Sequence, residues 1–357
     1  MSRPSFALCL TGGGVTGAMY QIGALAALGD VVEGLDPEAF DLYIGVASGA
    51  SVAAALAGGA GVRRLYRSLL DPADTYFPLQ RSHLLRTDLD EWRRTLVSAW
   101  GALRHGSASL WSRTPAPLPN DLWEQLDRFV DSLPAGLFTL DAYERLLAES
   151  FLRRGIPNSF RAMPRPLRIP AYDLDAAARV VFGAEGEQDV PVSLACTASM
   201  ALPLLYSPVR IGKRHFLDGG LGSVAHLDLA LDAGADVVVV VHPMVPVHTG
   251  GSLVPTGHGG RRSLRDKGAL WVYSQAFRVG ASARLDDQLA RLGPDRERVL
   301  VLRPEPTDTT LFLFNPASFA NRRTILEYAY RTTRERVERW LSERPAVAER
   351  AGWRLAR

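Results

Sequence analysis

Short continuous apolar runs alternate with small-residue helical stretches at the start of this chain. Phe6–Leu10 has the length and composition of a buried strand, and Gly17–Leu28 reads as a helix whose Ala and Gly positions permit close packing on a sheet. Leu42-Tyr43-Ile44 is a second apolar strand, followed by a turn and another helix of small residues. Strand alternating with helix predicts an α/β sheet with helices on its faces. From about 61 to 133 the pattern changes. Leu89, Trp92, Leu96, Trp100 and Leu103 recur at helical spacing between Arg93, Arg94 and Arg104, with Trp111 and Trp123 beyond and a break at Pro115, Pro117 and Pro119. This predicts a helical insertion, whose stripe suits either a core face or an interfacial lid in which tryptophan and arginine meet lipid.

Further along, Asp141 with Glu144 has the spacing of a capping box opening a helix through Arg154. Strands are predicted at Leu167–Tyr172, Arg179–Gly183 and Asp236–Val241, with a hairpin over Val209–Leu217 that turns on Gly212-Lys213. His242-Pro243 ends the last strand, and the Gly/Pro/His-rich stretch to about Gly260 reads as a mobile loop. Amphipathic helices are predicted around Ser263–Leu292 and Ala320–Leu341.

Composition narrows the setting. The 357 residues suffice for one large domain, and no uncharged apolar run reaches the roughly 18 residues of a membrane-spanning helix. The N-terminus lacks the pattern of a signal peptide, and Cys9 and Cys196 both lie in apolar runs, so a cytoplasmic protein is expected. The formal charge of +3 is almost entirely arginine on the positive side, Lys213 and Lys267 being the only lysines. That balance is compatible with peripheral contact with anionic lipid. It comes with no nucleic-acid motif and no basic stripe. No set of His, Cys, Asp and Glu has metal-ligand spacing, and neither metal nor cofactor is expected.

The chemistry sits in three motifs. Gly45-Val46-Ala47-Ser48-Gly49 has the frame of a nucleophile elbow, G-x-S-x-G, with alanine at the tip. Ser48 and Ser51 are the alternative nucleophiles, but the positions two before and two after Ser48 are Val46 and Ala50, which relieve no crowding. Both hydroxyls read more simply as caps of a helix N-terminus. Gly12-Gly13-Gly14-Val15-Thr16-Gly17 also satisfies G-x-G-x-x-G, with Asp36 about 20 residues on. A dinucleotide site would want that acid at the end of the second strand, which here enters the elbow. The loop instead offers backbone N–H groups at a helix N-terminus, where an oxyanion can form. Asp218-Gly219-Gly220 follows the hairpin and, beside the other two, becomes a candidate base. A Ser-His-Asp triad would call on His242 or His215, both of which read as structural or loop histidines; His248 and His258 look solvated.

This ordered trio resembles the patatin-like phospholipase family, with the glycine loop continuing as Ala18-Met19-Tyr20-Gln21, the Gly45–Ala50 elbow, and Asp218-Gly219-Gly220. The likeness covers 1–60 and about 135–242. It implies a three-layer α/β/α fold with a helical insertion and C-terminal helices: a hydrolase domain over 1–303 including the 61–133 insertion, and a helical segment 304–357 packed on it. It also implies a lipid acyl ester hydrolase of phospholipase, lysophospholipase or esterase type, using a Ser-Asp dyad: the nucleophile position at Ala47, the base at Asp218, and an oxyanion hole from Gly13, Gly14 and Ser48. Gly12, Gly17, Gly45, Gly49, Gly219 and Gly220 complete the motifs. The chain departs from the family at Ala47, at Thr16, where a basic residue is usual, and at Val224 and His226, where Asn and Pro are common. With Ala47 the chain is expected to be inactive. An inactivating substitution is the favoured history; the alternatives are a natural pseudoenzyme that binds lipid or a partner, and a membrane-associated scaffold. Which acyl ester is cut, its chain length and the oligomeric state are left open.

Overall fold

The computed structural model describes residues 3–71, 73–87, 92, 93, 95, 97, 127, 130, 131, 133–256, 259–312 and 321–356. Eight strands form the main sheet: β1 (Phe6–Leu10), β2 (Leu42–Gly45), β3 (Leu167–Asp173), β4 (Ala178–Phe182), β5 (Val209–Ile211), β6 (Arg214–Leu217), β7 (Val237–Val241) and β8 (Val299–Leu302). Their order is β8-β7-β1-β2-β3-β6-β5, with β4 paired to β3. The run from β8 to β3 is parallel; β4 and β6 pair with β3, and β5 with β6, antiparallel.

Parallel strands buried on both faces should be apolar at every position, and β7 is five consecutive valines, all buried. Alternate residues of β1 enter separate cores. Leu8 and Leu10 pack with α1 (Gly14–Val31), α2 (Ser48–Ala57), α3 (Val62–Leu70), α4 (Asp141–Arg154) and α5 (Val192–Ser199). Ala7 and Cys9 pack with α6 (Leu227–Asp232) and α7 (Ala269–Arg291). Helices therefore cover both faces, giving three α/β/α layers. On the first face α8 (Arg322–Glu343) crosses α1 so closely that a Cβ on Gly23 would lie 2.7 Å from the Leu326 carbonyl and 2.9 Å from the Ala329 Cβ. Among the described residues no helix is long and apolar enough to cross a membrane.

The register brings the site together. β2 pairs with the beginning of β3 (Tyr43 with Leu167, Ile44 with Arg168), and β6 descends antiparallel against its far end (Tyr172 with Leu217). A parallel and an antiparallel strand thus point their carboxyl ends at one another across the middle of β3. The elbow leaves from the first and the acidic loop from the second.

Two expectations change. Asp141 and Glu144 make no capping box: Leu140 is the N-cap, which moves the two acids one place into the helix, and Glu144 accepts a hydrogen bond from the Ser193 hydroxyl at 2.7 Å. The stretch after His242 begins as packed structure, with Val245 and Val247 buried, and Val254–Pro255 pairs with Arg261–Arg262.

Candidate active site

The turn after β2 has the backbone of a strained elbow. Ala47 is the N-cap of α2, with φ 51° and ψ −124°, a conformation that a residue with a Cβ rarely adopts. The flanking glycines are required by what surrounds them. A Cβ on Gly45 would lie 2.5 Å from the Ala50 Cα, and one on Gly49 would strike the carbonyl oxygens of Leu10 and Thr11. Ser199 holds the turn from outside: its hydroxyl accepts the Ala47 N–H at 3.0 Å, and its carbonyl accepts the Gly219 N–H at 3.1 Å. One residue thereby ties the elbow to the acidic loop. Ser199 belongs to none of the three motifs, so no local pattern in the sequence marks it.

The glycine loop lies directly beside the elbow. A Cβ on Gly12 would sit 3.1 Å from the Ala47 methyl and 3.2 Å from Met244 Cε. Gly13 and Gly14 have φ of 146° and 63°, which only glycine adopts freely. Among the described residues no protein hydrogen bond is made by the N–H groups of Gly13, Gly14 or Ser48, whereas the Gly17 N–H donates to the Gly13 carbonyl at 3.0 Å. The buried Thr16 hydroxyl donates to the same carbonyl at 3.2 Å, so this loop contributes no cation.

Asp218 leaves β6 buried, 5% exposed. Burial pushes its carboxyl up to about 7, opposed by the Gly220 N–H, which donates to Oδ1 at 2.7 Å. A Cβ on Gly220 would be 3.1 Å from that oxygen and 3.6 Å from Val46 Cγ1, so the acidic loop rests against the elbow. His226 braces the loop in the left-handed conformation, φ 47°. Its Nε2 must donate to the Gly219 carbonyl (2.9 Å), since a carbonyl only accepts, and its Nδ1 accepts from Arg179 Nη1 (3.2 Å). Arg179 is in turn paired with Asp228 at 2.7 Å. Burial pushes the His226 pKa down to about 4, which keeps the imidazole neutral.

Gly13, Gly14, Ala47, Ser48 and Asp218 all line one cavity of about 510 Å³. Its remaining wall is mostly apolar and includes Leu65, Leu69, Phe77, Leu202 and Leu205. Residues of α3 and of the segment to Leu85 belong to the region read as an insertion. The part of that reading from Asp88 to Trp123 lies almost wholly outside the described residues, Trp100 and Trp111 included, and Trp92 is half-buried. The loop 243–260 supplies only Met244 to the described wall; the larger contribution comes from α7, through Leu270, Trp271, Ser274, Phe277 and Arg278. Their spacing of i, i+1, i+4, i+7 and i+8 marks one helix face and was the available signal.

The capping role expected of the two serines is absent. The Ser48 hydroxyl is buried with no partner among the described residues, and the Ser51 hydroxyl pairs with the Tyr143 hydroxyl at 2.8 Å. His242 is fully buried, with Nδ1 3.0 Å from the Thr11 hydroxyl, and is not among the residues lining the cavity. His215 lies 3.5 Å from Asp175 on an exposed face.

A strained strand-to-helix turn at the carboxyl edge of a three-layer α/β/α sheet, beside a glycine loop and a buried acid, defines a hydrolase scaffold of the elbow type. The chain belongs to the patatin-like phospholipase family, whose sequence model matches residues 8–231. No curated protein matches it. Among solved structures it is similar to VipD from Legionella pneumophila, at 14% identity and a TM-score of 0.38 over 96% of this chain and 67% of VipD. It is also similar to ExoU from the type III secretion system of Pseudomonas aeruginosa, solved in complex with SpcU, at 17% identity and a TM-score of 0.39 over 95% of this chain. There the chain spans about half of its relative, 53%.

Proposed function

We propose that this scaffold is that of a lipid acyl ester hydrolase whose nucleophile position is held by Ala47, so that the chain as it stands binds acyl lipid without cleaving it. The observation that carries the reading is the backbone of Ala47. A non-glycine residue kept at φ 51° opens onto the same apolar cavity as a buried carboxylate. Such strain persists where a side chain must be presented to a substrate.

With serine at 47, Asp218 takes the hydroxyl proton as Oγ bonds to the ester carbonyl carbon. The carbonyl π electrons move to oxygen, and the oxyanion accepts hydrogen bonds from the N–H groups of Gly13, Gly14 and Ser48. Collapse of this intermediate expels the alcohol, which takes the proton from Asp218. Water then attacks the acyl-serine, giving up a proton to Asp218; the Oγ–C bond breaks, Asp218 returns that proton to Oγ, and the fatty acid is released. An acid whose pKa lies near 7 suits both directions of transfer. A methyl at 47 removes the attacking atom and leaves the binding surfaces untouched. Contact with a membrane surface belongs to this reading as the route by which lipid reaches the cavity.

The test is turnover of an acyl ester panel by Ala47→Ser beside the unaltered chain. Loss of a catalytic serine costs on the order of a million-fold, so a gain of that order is expected, together with its abolition in Ala47→Ser/Asp218→Asn. Equal turnover by both chains would reject the assignment.

A further inference from the structure

The cavity described above contains one carboxylate, Asp218, and three cations, Arg154, Lys267 and Arg278, among its described lining residues. None of the three lies in an ion pair with a described carboxylate. Arg154 donates to the carbonyls of Tyr76 and Thr75 at 3.1 and 2.8 Å, and Lys267 donates to the Pro255 carbonyl at 2.9 Å while facing the Trp271 ring. Both reach solvent. Arg278 does not.

Arg278 lies in the middle of α7 with 3% of its surface exposed. Its Nη1 donates to the Val245 carbonyl at 3.1 Å, and its Nε is buried with no hydrogen-bond partner among the described residues. Three other arginines of this region have carboxylate partners, Arg291 with Asp287 at 2.6 Å, Arg298 with Asp295 at 2.8 Å and Arg303 with Asp286 at 2.6 Å, whereas Arg284 on the same helix reaches the Gly220 carbonyl at 3.4 Å. A buried guanidinium without a counterion is an expensive arrangement, because its hydration is lost and a single carbonyl replaces only part of it. Burial pushes its pKa down to about 10, which still leaves it charged at neutral pH. A planar fork of N–H donors at the wall of a mostly apolar cavity is matched by the oxygens of a phosphate or carboxylate. The residue lies beyond the family-matched segment 8–231.

We propose that Arg278 is the anion-recognition residue of the cavity, holding the phosphate or carboxylate oxygens of an acyl lipid whose tail lies along the apolar wall. This rests on the reading of the cavity as a lipid site. The bound anion supplies the missing counterion, so anionic lipids are selected over neutral esters of equal chain length.

The unaltered chain is itself the reagent, because without the serine it can be loaded with ester and not turn over. Calorimetric titration with 1-palmitoyl lysophosphatidic acid, palmitic acid and 1-monopalmitoylglycerol, each below its micellar concentration, reads the preference. Tenfold or tighter binding of at least one anionic lipid over the neutral ester is expected, and which of the two is tighter identifies phosphate or carboxylate. Arg278→Met should remove that difference, leave monopalmitoylglycerol binding within about twofold, and keep or raise the melting temperature, since it deletes an unpaired buried charge. Arg278→Lys should retain a preference for the anionic lipid. Equal affinities for charged and neutral lipids in the unaltered chain would overturn the inference. A lower melting temperature in Arg278→Met with parallel loss of all three ligands would overturn it as well, making the residue a strut for the Val245 carbonyl. Binding of none of the three lipids would instead defeat the lipid reading of the cavity on which it depends.

Discussion

The methyl group of Ala47 is held where a glycine would be comfortable. Non-glycine residues in such regions cost about 1–3 kcal/mol, and here no hydroxyl gives a return on that strain. Ala47→Gly is therefore expected to raise unfolding stability by about 1 kcal/mol, read from the denaturant midpoint. An unchanged or lowered midpoint would mean that the turn is relaxed as it stands. Asp218 makes a second, pH-dependent case. Burial raises its folded-state pKa to about 7, above the roughly 3.9 of an unfolded aspartate, so the folded chain binds this proton more tightly than the unfolded one. Its contribution is fully present below about pH 4, is lost as pH rises to about 7, and is constant above. Asp218→Asn should melt higher than the parent at about pH 8, with the difference vanishing toward about pH 4. In the Ala47→Ser background the same group has to be ionised to act, so kcat/KM should climb about tenfold per pH unit below about 7 and level off above.

At the scale of elements, the acidic loop depends on a brace rather than on its own sequence. His226 donates to the Gly219 carbonyl and is held from behind by Arg179 and Asp228. In the Ala47→Ser background, His226→Ala is expected to lower kcat by on the order of 10²-fold, the effect of a displacement of about 1 Å, with KM nearly unchanged. His226→Asn, which tolerates a left-handed backbone and keeps an N–H donor, should recover part of it. An unaltered kcat in His226→Ala would reduce the residue to core filling. This brace explains why a chain lacking the usual Asn and Pro behind its acid still forms the loop. The departure itself was visible in the sequence, but its compensation was not, because Arg179 lies 47 residues away on β4.

Across the whole molecule, what could be read from sequence was whatever is local. Five valines in a row, Gly45 and Gly49 flanking position 47, and glycine at the hairpin turn each report a steric requirement on their own neighbourhood, and all stand where they were expected. Relations across β3 were not legible. The meeting of β2 and β6 end to end, the double role of Ser199 and the cavity wall from α7 depend on register and layer packing, which one strand's pattern does not encode. The capping box failed for the opposite reason: Asp141 and Glu144 have the right spacing, but the N-cap falls one residue early, on Leu140, and the helix opens at Asp141. In the proposed function, position 47 is a presentation site inside a lipid cavity, with Asp218 as its base. The most direct measurement is the site of fluorophosphonate labelling, located by peptide mass spectrometry in the unaltered chain, in Ala47→Ser and in Ala47→Ser/Asp218→Asn. An adduct on residue 47 is expected in Ala47→Ser, strongly slowed when Asp218 is also replaced, with the parent unlabelled. An adduct on Ser48 or Ser51, or equal labelling of parent and variant, would contradict it.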